Sequence, residues 1–244
     1  SGVRPQDISF NSDQTEALFV GSDNDIYLAY LNEDKSTVRI TKNTNNEWYS
    51  DPQFIFDDSK ILFSQRRHFS NNNIGTINIY TMDRDGKNVV QITDAEEEEK
   101  FIMPRMSSSG DKIIYYFKNN GIYELNYPIE KRGSLVETEG GDSIIPEISS
   151  YFRNIRWSPD GDKAIMWEKK FVSTYNLYLY QKNTESKLRL FQSNARYAQW
   201  NGNDEIIFKY ESSNAMYRKS VNSAISDDPV LFYQSPWAQL QPRQ

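Results

Sequence analysis

Only one imidazole, His68, and no thiol occur in the 244 residues, and this narrows the available chemistry at once. Without cysteine there is no disulfide, no thiolate zinc site and no cysteine nucleophile. One histidine cannot build a multi-histidine metal centre. A Ser-His-Asp triad would have to pass through His68, and the chain has no Gly-x-Ser-x-Gly elbow to present the serine. A surface-loop histidine is the simpler reading. Asp83-Arg84-Asp85-Gly86-Lys87-Asn88 has the look of a short calcium loop, because hard cations want several oxygens around a glycine-permitted turn. Loop position twelve is Asp94 and not the bidentate glutamate such a loop needs, so a hairpin turn is expected instead. Ser158-Pro159-Asp160-Gly161 reads as a turn as well: proline presets φ, aspartate bonds its own backbone and glycine accepts positive φ. It also departs from a Ser-x-Asp-x-Gly spacing, because Gly161 directly follows Asp160. The Glu96–Glu99 run is expected in a solvated loop, since like charges repel and are costly to bury. Neither a catalytic set, a metal site nor a cofactor site is expected. The 34 Asp+Glu leave a paired-carboxylate site open, but the lone histidine and absent cysteine make a lyase or hydrolase the least supported function considered.

The elements that position these residues come from a repeat. Five units each open on a strand ending in an apolar anchor followed by a polar turn: Phe10, Phe56, Met106, Trp157 and Trp200. The anchors stand 46, 50, 51 and 43 residues apart. A second strand follows each turn, at Ala17–Val20, Lys60–Phe63, Lys112–Tyr116, Lys163–Trp167 and Glu205–Phe208. A third carries Tyr27, Tyr80, Tyr123, Tyr178 or Tyr217, expected to pack between sheets with a bonded hydroxyl. A fourth closes each unit, at Val38–Thr41, Val89–Thr93, Leu135–Thr138, Leu188–Leu190 and Val230–Tyr233.

Four short strands in a unit of that length describe a blade of a β-propeller. The prediction is an all-β fold of four-stranded antiparallel blades, in a single domain over 3–240. The blades are expected at about 3–42, 50–94, 102–140, 146–193 and 195–234. Trp237-Ala-Gln-Leu240 resembles Tyr197-Ala-Gln-Trp200. The segment 235–240 is therefore read as a closing strand of a five-bladed ring, with the start of a sixth blade in an incomplete six-bladed one as the alternative. The repeat exists because a lone twisted sheet has two apolar faces, and neighbouring sheets must cover them. Burial at roughly 25 cal/mol per Å² makes those faces the main source of stability.

Trp157-Ser158-Pro159-Asp160-Gly161 with Lys163, Ile79-Tyr80-Thr81-Met82-Asp83-Arg84-Asp85-Gly86, and Ile92-Thr93 together resemble the TolB-like, WD40-like propeller repeat (the PD40 type). The resemblance spans nearly the whole chain. It implies a propeller and says little about activity, because function lives in sites grafted on the fold. Relatives with such repeats include periplasmic translocation-associated proteins, propeller domains of serine peptidases and some polysaccharide lyases. With the absence of cysteine, this favours an extracytoplasmic location: periplasmic, secreted or surface-anchored.

In a blade, the first-to-second and third-to-fourth turns share one side, and the remaining loops share the other. Here the insertions collect on the second side, at Lys42–Ser50, Gln65–Thr76, Asp94–Met103, Glu137–Asn154 and Lys169–Tyr175. Long loops on a rigid scaffold are where binding concentrates. These carry Trp48, Tyr49, Arg66, Arg67, His68, Phe69, Phe101, Tyr151, Phe152 and Arg153. Aromatics with arginine match the composition of protein-interface hot spots; the competing reading is that several of these rings plug the channel. The expected function is non-catalytic binding of a protein partner on this side. A glycan or cell-wall polymer stacked on the aromatics is the alternative. With 28 Lys+Arg against 34 Asp+Glu the net charge is -6, which disfavours a nucleic-acid partner. No run approaches the roughly 18 apolar residues of a membrane-spanning helix.

Overall fold

Short runs rich in β-branched and aromatic residues, buried on both faces in the middle strands of the second, third and fourth sheets, form the strands. The computed structural model describes residues 6–32, 34–43, 47–66, 75–96, 99–118, 121–128, 130, 133–135, 151–169, 175–184, 188–210 and 212–234. Among these residues the regular structure is entirely β. The first sheet is β1 (Gln6–Phe10), β2 (Glu16–Val20), β3 (Ile26–Tyr30) and β4 (Val38–Arg39). The second is β5 (Trp48–Ile55), β6 (Lys60–Arg66), β7 (Ile77–Asp83) and β8 (Val90–Gln91). The third is β9 (Phe101–Met106), β10 (Lys112–Phe117), β11 (Gly121–Asn126) and β12 (Ser134–Leu135). The fourth is β13 (Tyr151–Trp157), β14 (Lys163–Lys169), β15 (Tyr175–Gln181) and β16 (Leu188–Ser193). The fifth is β17 (Ala195–Asn201), β18 (Glu205–Tyr210), β19 (Ala215–Ser220) and β20 (Val230–Gln234). Each sheet is an antiparallel meander with its strands side by side in chain order. This is the blade pattern of a propeller. The segment 235–240 lies outside the described residues. The chain divides into two compact units, Ser1–Leu135 with three sheets and Val136–Gln244 with two.

Register moves one anchor. Phe10, Met106, Trp157 and Trp200 pair with Ala17, Ile113, Ala164 and Ile206, the second residue of the next strand in each case. In the second sheet the residue so placed is Phe54, opposite Ile61, and not Phe56. Phe54 and Phe56 share strand parity, so spacing alone could not separate them. Phe56 belongs to the turn, where Phe56, Asp57 and Asp58 all take positive φ.

Inside each unit the faces between sheets are the core. In the first unit Phe54, Ile61, Phe63, Tyr80 and Met82 pack against Leu18, Ile26 and Leu28. Ile55, Leu62, Ile79 and Ile92 pack against Phe101, Met106, Ile113 and Tyr115. In the second unit Ile165, Trp167, Leu177, Leu179 and Phe191 meet Ala195, Ala198, Ile206 and Phe208. Four of the repeated tyrosines lie over the aromatic ring directly opposite on the second strand. Phe19–Tyr27, Phe63–Tyr80, Tyr115–Tyr123 and Phe208–Tyr217 have centroids 5.5, 5.7, 5.9 and 6.4 Å apart. Hydroxyls are bonded as expected: Tyr27 donates to Asp23 at 2.7 Å, Tyr80 to Gln91 at 3.1 Å and Tyr178 to Glu168 at 3.2 Å. Burial beside the Glu168 carboxylate pushes the Tyr178 hydroxyl far above its ordinary titration range.

The repeated Ile-Thr has a physical reason. Thr93 Oγ1 accepts from Ile79 N at 2.8 Å and donates to Asn78 Oδ1 at 2.9 Å, while Ala95 N donates to the same Asn78 oxygen at 2.7 Å. Thr41 makes the same clamp with Ile26 N and Asp25 Oδ1, both at 2.8 Å, and Asn43 N completes it at 2.8 Å. The threonine thus ties the exit of the fourth strand to the start of the third. Thr93 and Asn78 are both buried. Thr93→Val leaves the Ile79 N–H without an acceptor and is expected to cost about 1–3 kcal/mol, read as a lower urea midpoint with Thr93→Ser largely preserved.

Candidate functional site

Each first strand bulges just upstream of its anchor. The irregularity falls after Gln6, Ser50, Ile102, Arg153 and Arg196. Asp51, Met103, Asn154 and Tyr197 take positive φ there. A bulge leaves backbone groups outside the ladder and re-aims side chains. Between the second and third sheets, side chains of one first strand satisfy the bulge of the next. Asp51 Oδ2 accepts from Met103 N at 3.1 Å, and Gln53 Oε1 accepts from Met106 N at 3.0 Å. Arg105 Nη1 returns a bond to Asp51 O at 3.2 Å. In the second unit Trp200 Nε1 donates to Arg156 O at 3.0 Å. The bulged ends are therefore held by cross-sheet bonds.

Beyond its bulge β5 runs on to Trp48, paired with Arg66 at the end of β6. The Arg66 guanidinium lies over the Trp48 ring, 4.7 Å from its centroid. Trp48 is 43% exposed and Arg66 is half-buried. Arg66 Nε is buried with no acceptor. Tyr49, on the opposite side of the strand, contacts Phe63 at 5.8 Å and extends the internal aromatic row. Its hydroxyl donates to Glu47 Oε2 at 3.4 Å, and its N–H donates to Asn24 O at 3.1 Å. A half-open indole capped by a guanidinium, on a rigid strand end, can bind a partner. It supplies no general acid or base.

The structure brings together only part of the predicted site. Trp48, Tyr49 and Arg66 are adjacent, but they end strands and do not lie in loops. Phe101 is a correction. Predicted on an exposed loop, it lies on β9 with 0% exposure, 5.2 Å from Tyr115 and edge-on to Phe117 at 4.9 Å. Strand pairing with Phe117 turns that ring into the core, so Phe101 presents nothing to a partner. Tyr151, Phe152 and Arg153 likewise begin β13, paired with Lys169, Glu168 and Trp167, and do not belong to the preceding loop. Arg67, His68 and Phe69 lie outside the described residues.

Sequence reasoning passed over one polar row. The residue before each anchor is Ser9, Gln53, Arg105, Arg156 or Gln199, all at the same register. A period-two reading of the first strands would have found it.

The two motifs that looked chemical are turns. Asp83 accepts from Lys60 Nζ at 2.6 Å and Asn88 Nδ2 at 2.5 Å, and Asp85 accepts from Lys87 Nζ at 2.6 Å. The lysine bonds hold both carboxyls below the usual carboxylate range. Gly86 has φ 85°, and a Cβ there would stand 2.5 Å from Ile40 O, so the turn needs glycine twice over. Ser158 Oγ donates to Asp160 Oδ1 at 2.5 Å and accepts from Lys163 N at 3.0 Å, and Gly161 N closes the turn on Ser158 O at 2.9 Å. Among the described residues no three histidine, aspartate or glutamate side chains gather as a cation-ligand set.

Four-stranded meanders packed face to face, with a bulged first strand, define the class by its fold: a β-propeller. Solved structures of low sequence identity share the fold. TolB from Acinetobacter baumannii superposes with a TM-score of 0.62 at 17% identity, over 90% of this chain and 52% of that one. A putative TolB from Agrobacterium tumefaciens gives 0.64 at 11%, over 95% and 81%. An oligogalacturonate lyase from Vibrio parahaemolyticus gives 0.66 at 9%, over 97% and 67%. No family model matches the chain. An uncharacterized protein of Agrobacterium fabrum is 27% identical over 130 residues, covering 50% of this chain and 41% of that protein. The chain thus spans about half the length, or less, of that relative and of the Acinetobacter TolB. No helix of the described residues is long and apolar enough to cross a membrane.

Proposed function

We propose that this chain is a non-catalytic interaction module that binds a protein partner on the side bearing Trp48, Tyr49 and Arg66. The observation that carries this reading is the Trp48–Arg66 pair: two residue types of interface hot spots, prearranged on a strand end and left half-open to solvent. Prearrangement lowers the entropy cost of binding. Arg67, His68, Phe69, Tyr151, Phe152 and Arg153 are proposed to widen the contact on the strength of their sequence positions. An extracytoplasmic location is proposed with it, supported by the kinship of the repeat to periplasmic propellers.

The test uses a Trp48→Ala/Arg66→Ala variant. Cross-linking mass spectrometry in the native source is expected to identify a protein partner whose yield falls at least tenfold in the variant, at unchanged urea midpoint. Unchanged yield defeats the reading. Retention by a polysaccharide with no protein cross-link transfers the surface to a glycan.

A further inference from the structure

We propose that Arg66 is a carboxylate receptor, and that the partner segment it receives is an acidic peptide. This rests on the reading above and names the chemistry of the contact. Among the described residues no carboxylate or carbonyl pairs with the Arg66 guanidinium, and its Nε is buried without an acceptor. Buried donors are almost always satisfied, so one left open marks a place where an acceptor belongs. The acidic run Glu96–Glu99 reaches Ile77, which pairs with Arg66, through the bond from Ile77 N to Glu99 O at 3.0 Å, but the Glu99 carboxylate accepts from Glu96 N at 2.7 Å. Glu47, the carboxylate next to Trp48 in the chain, takes the Tyr49 hydroxyl. The indole fixes the plane of the guanidinium at 4.7 Å, and a fixed planar fork suits two parallel bonds to one carboxylate.

The experiment titrates the whole chain with a blocked hexapeptide of alternating Glu and Gly, its Gln counterpart, and trigalacturonate. Readouts are the NMR resonances of the Trp48 indole N–H and the Arg66 Nε–H. The Glu peptide is expected to move both and to bind at least tenfold tighter than the Gln peptide. Arg66→Lys should weaken it at least fivefold at unchanged urea midpoint, since lysine offers neither the fork nor the stack. Equal affinity for the two peptides, or undiminished binding by Arg66→Lys, overturns the proposal. So does tighter binding of trigalacturonate through the same resonances, which makes the receptor a uronate site. If the Glu peptide fails while partner capture still depends on Trp48 and Arg66, the carboxylate inference falls alone. If capture depends on neither residue, both fall.

Discussion

Phe54→Ala is expected to destabilise the first unit by about 3–5 kcal/mol, while the same change at the equivalent Phe10 costs under about 1 kcal/mol. Both rings hold the anchor position of a first strand, opposite the second residue of the next strand. Phe54 is 7% exposed and sits among Leu18, Ile26, Leu28, Ile61 and Phe63. Phe10 is 56% exposed, and Ile8 beside it on the same strand face is exposed too. Truncating Phe54 opens a cavity between two sheets that cannot collapse without moving both. Truncating Phe10 removes surface that water already reaches. Urea midpoints of the two variants decide the matter. Equal losses would mean that the first sheet is covered in solution on the side where Phe10 lies.

The second large effect is electrostatic. Lys112 Nζ lies 3.2 Å from Glu124 Oε1, with both side chains nearly withdrawn from water. Glu124→Leu strands the ammonium in the third sheet and is expected to cost about 3–5 kcal/mol. A Lys112→Met/Glu124→Leu double variant should recover most of that, because an apolar pair owes no desolvation penalty. A double variant as unstable as the single one would assign the loss to shape and not to charge.

Strand order, the five-fold repeat and the tight turns were legible before any coordinates, because each is a local matter. Ser158-Pro-Asp-Gly161 can fold in few ways, and Asp83 to Asn88 closes on its own side chains. The anchor of the second unit was not legible, because Phe54 and Phe56 have the same type and parity and only pairing with Ile61 distinguishes them. Phe101 was misjudged for a related reason. A ring near a charged run reads as loop, yet the ladder carries β9 back to Phe101 and turns it inward.

The residues alone determined that small antiparallel sheets would recur and pack face to face, since a meander that is apolar on both faces must be covered on both. They also limited the chemistry, because one histidine and no cysteine leave few reactive sets. Which polar residues meet was decided only in three dimensions. Trp48 and Arg66 are 18 positions apart and become neighbours through the register of β5 and β6, and that register is set by the bulge at Asp51. Contacts of that kind depend on the energy of whole faces packing together, which no single stretch of sequence contains.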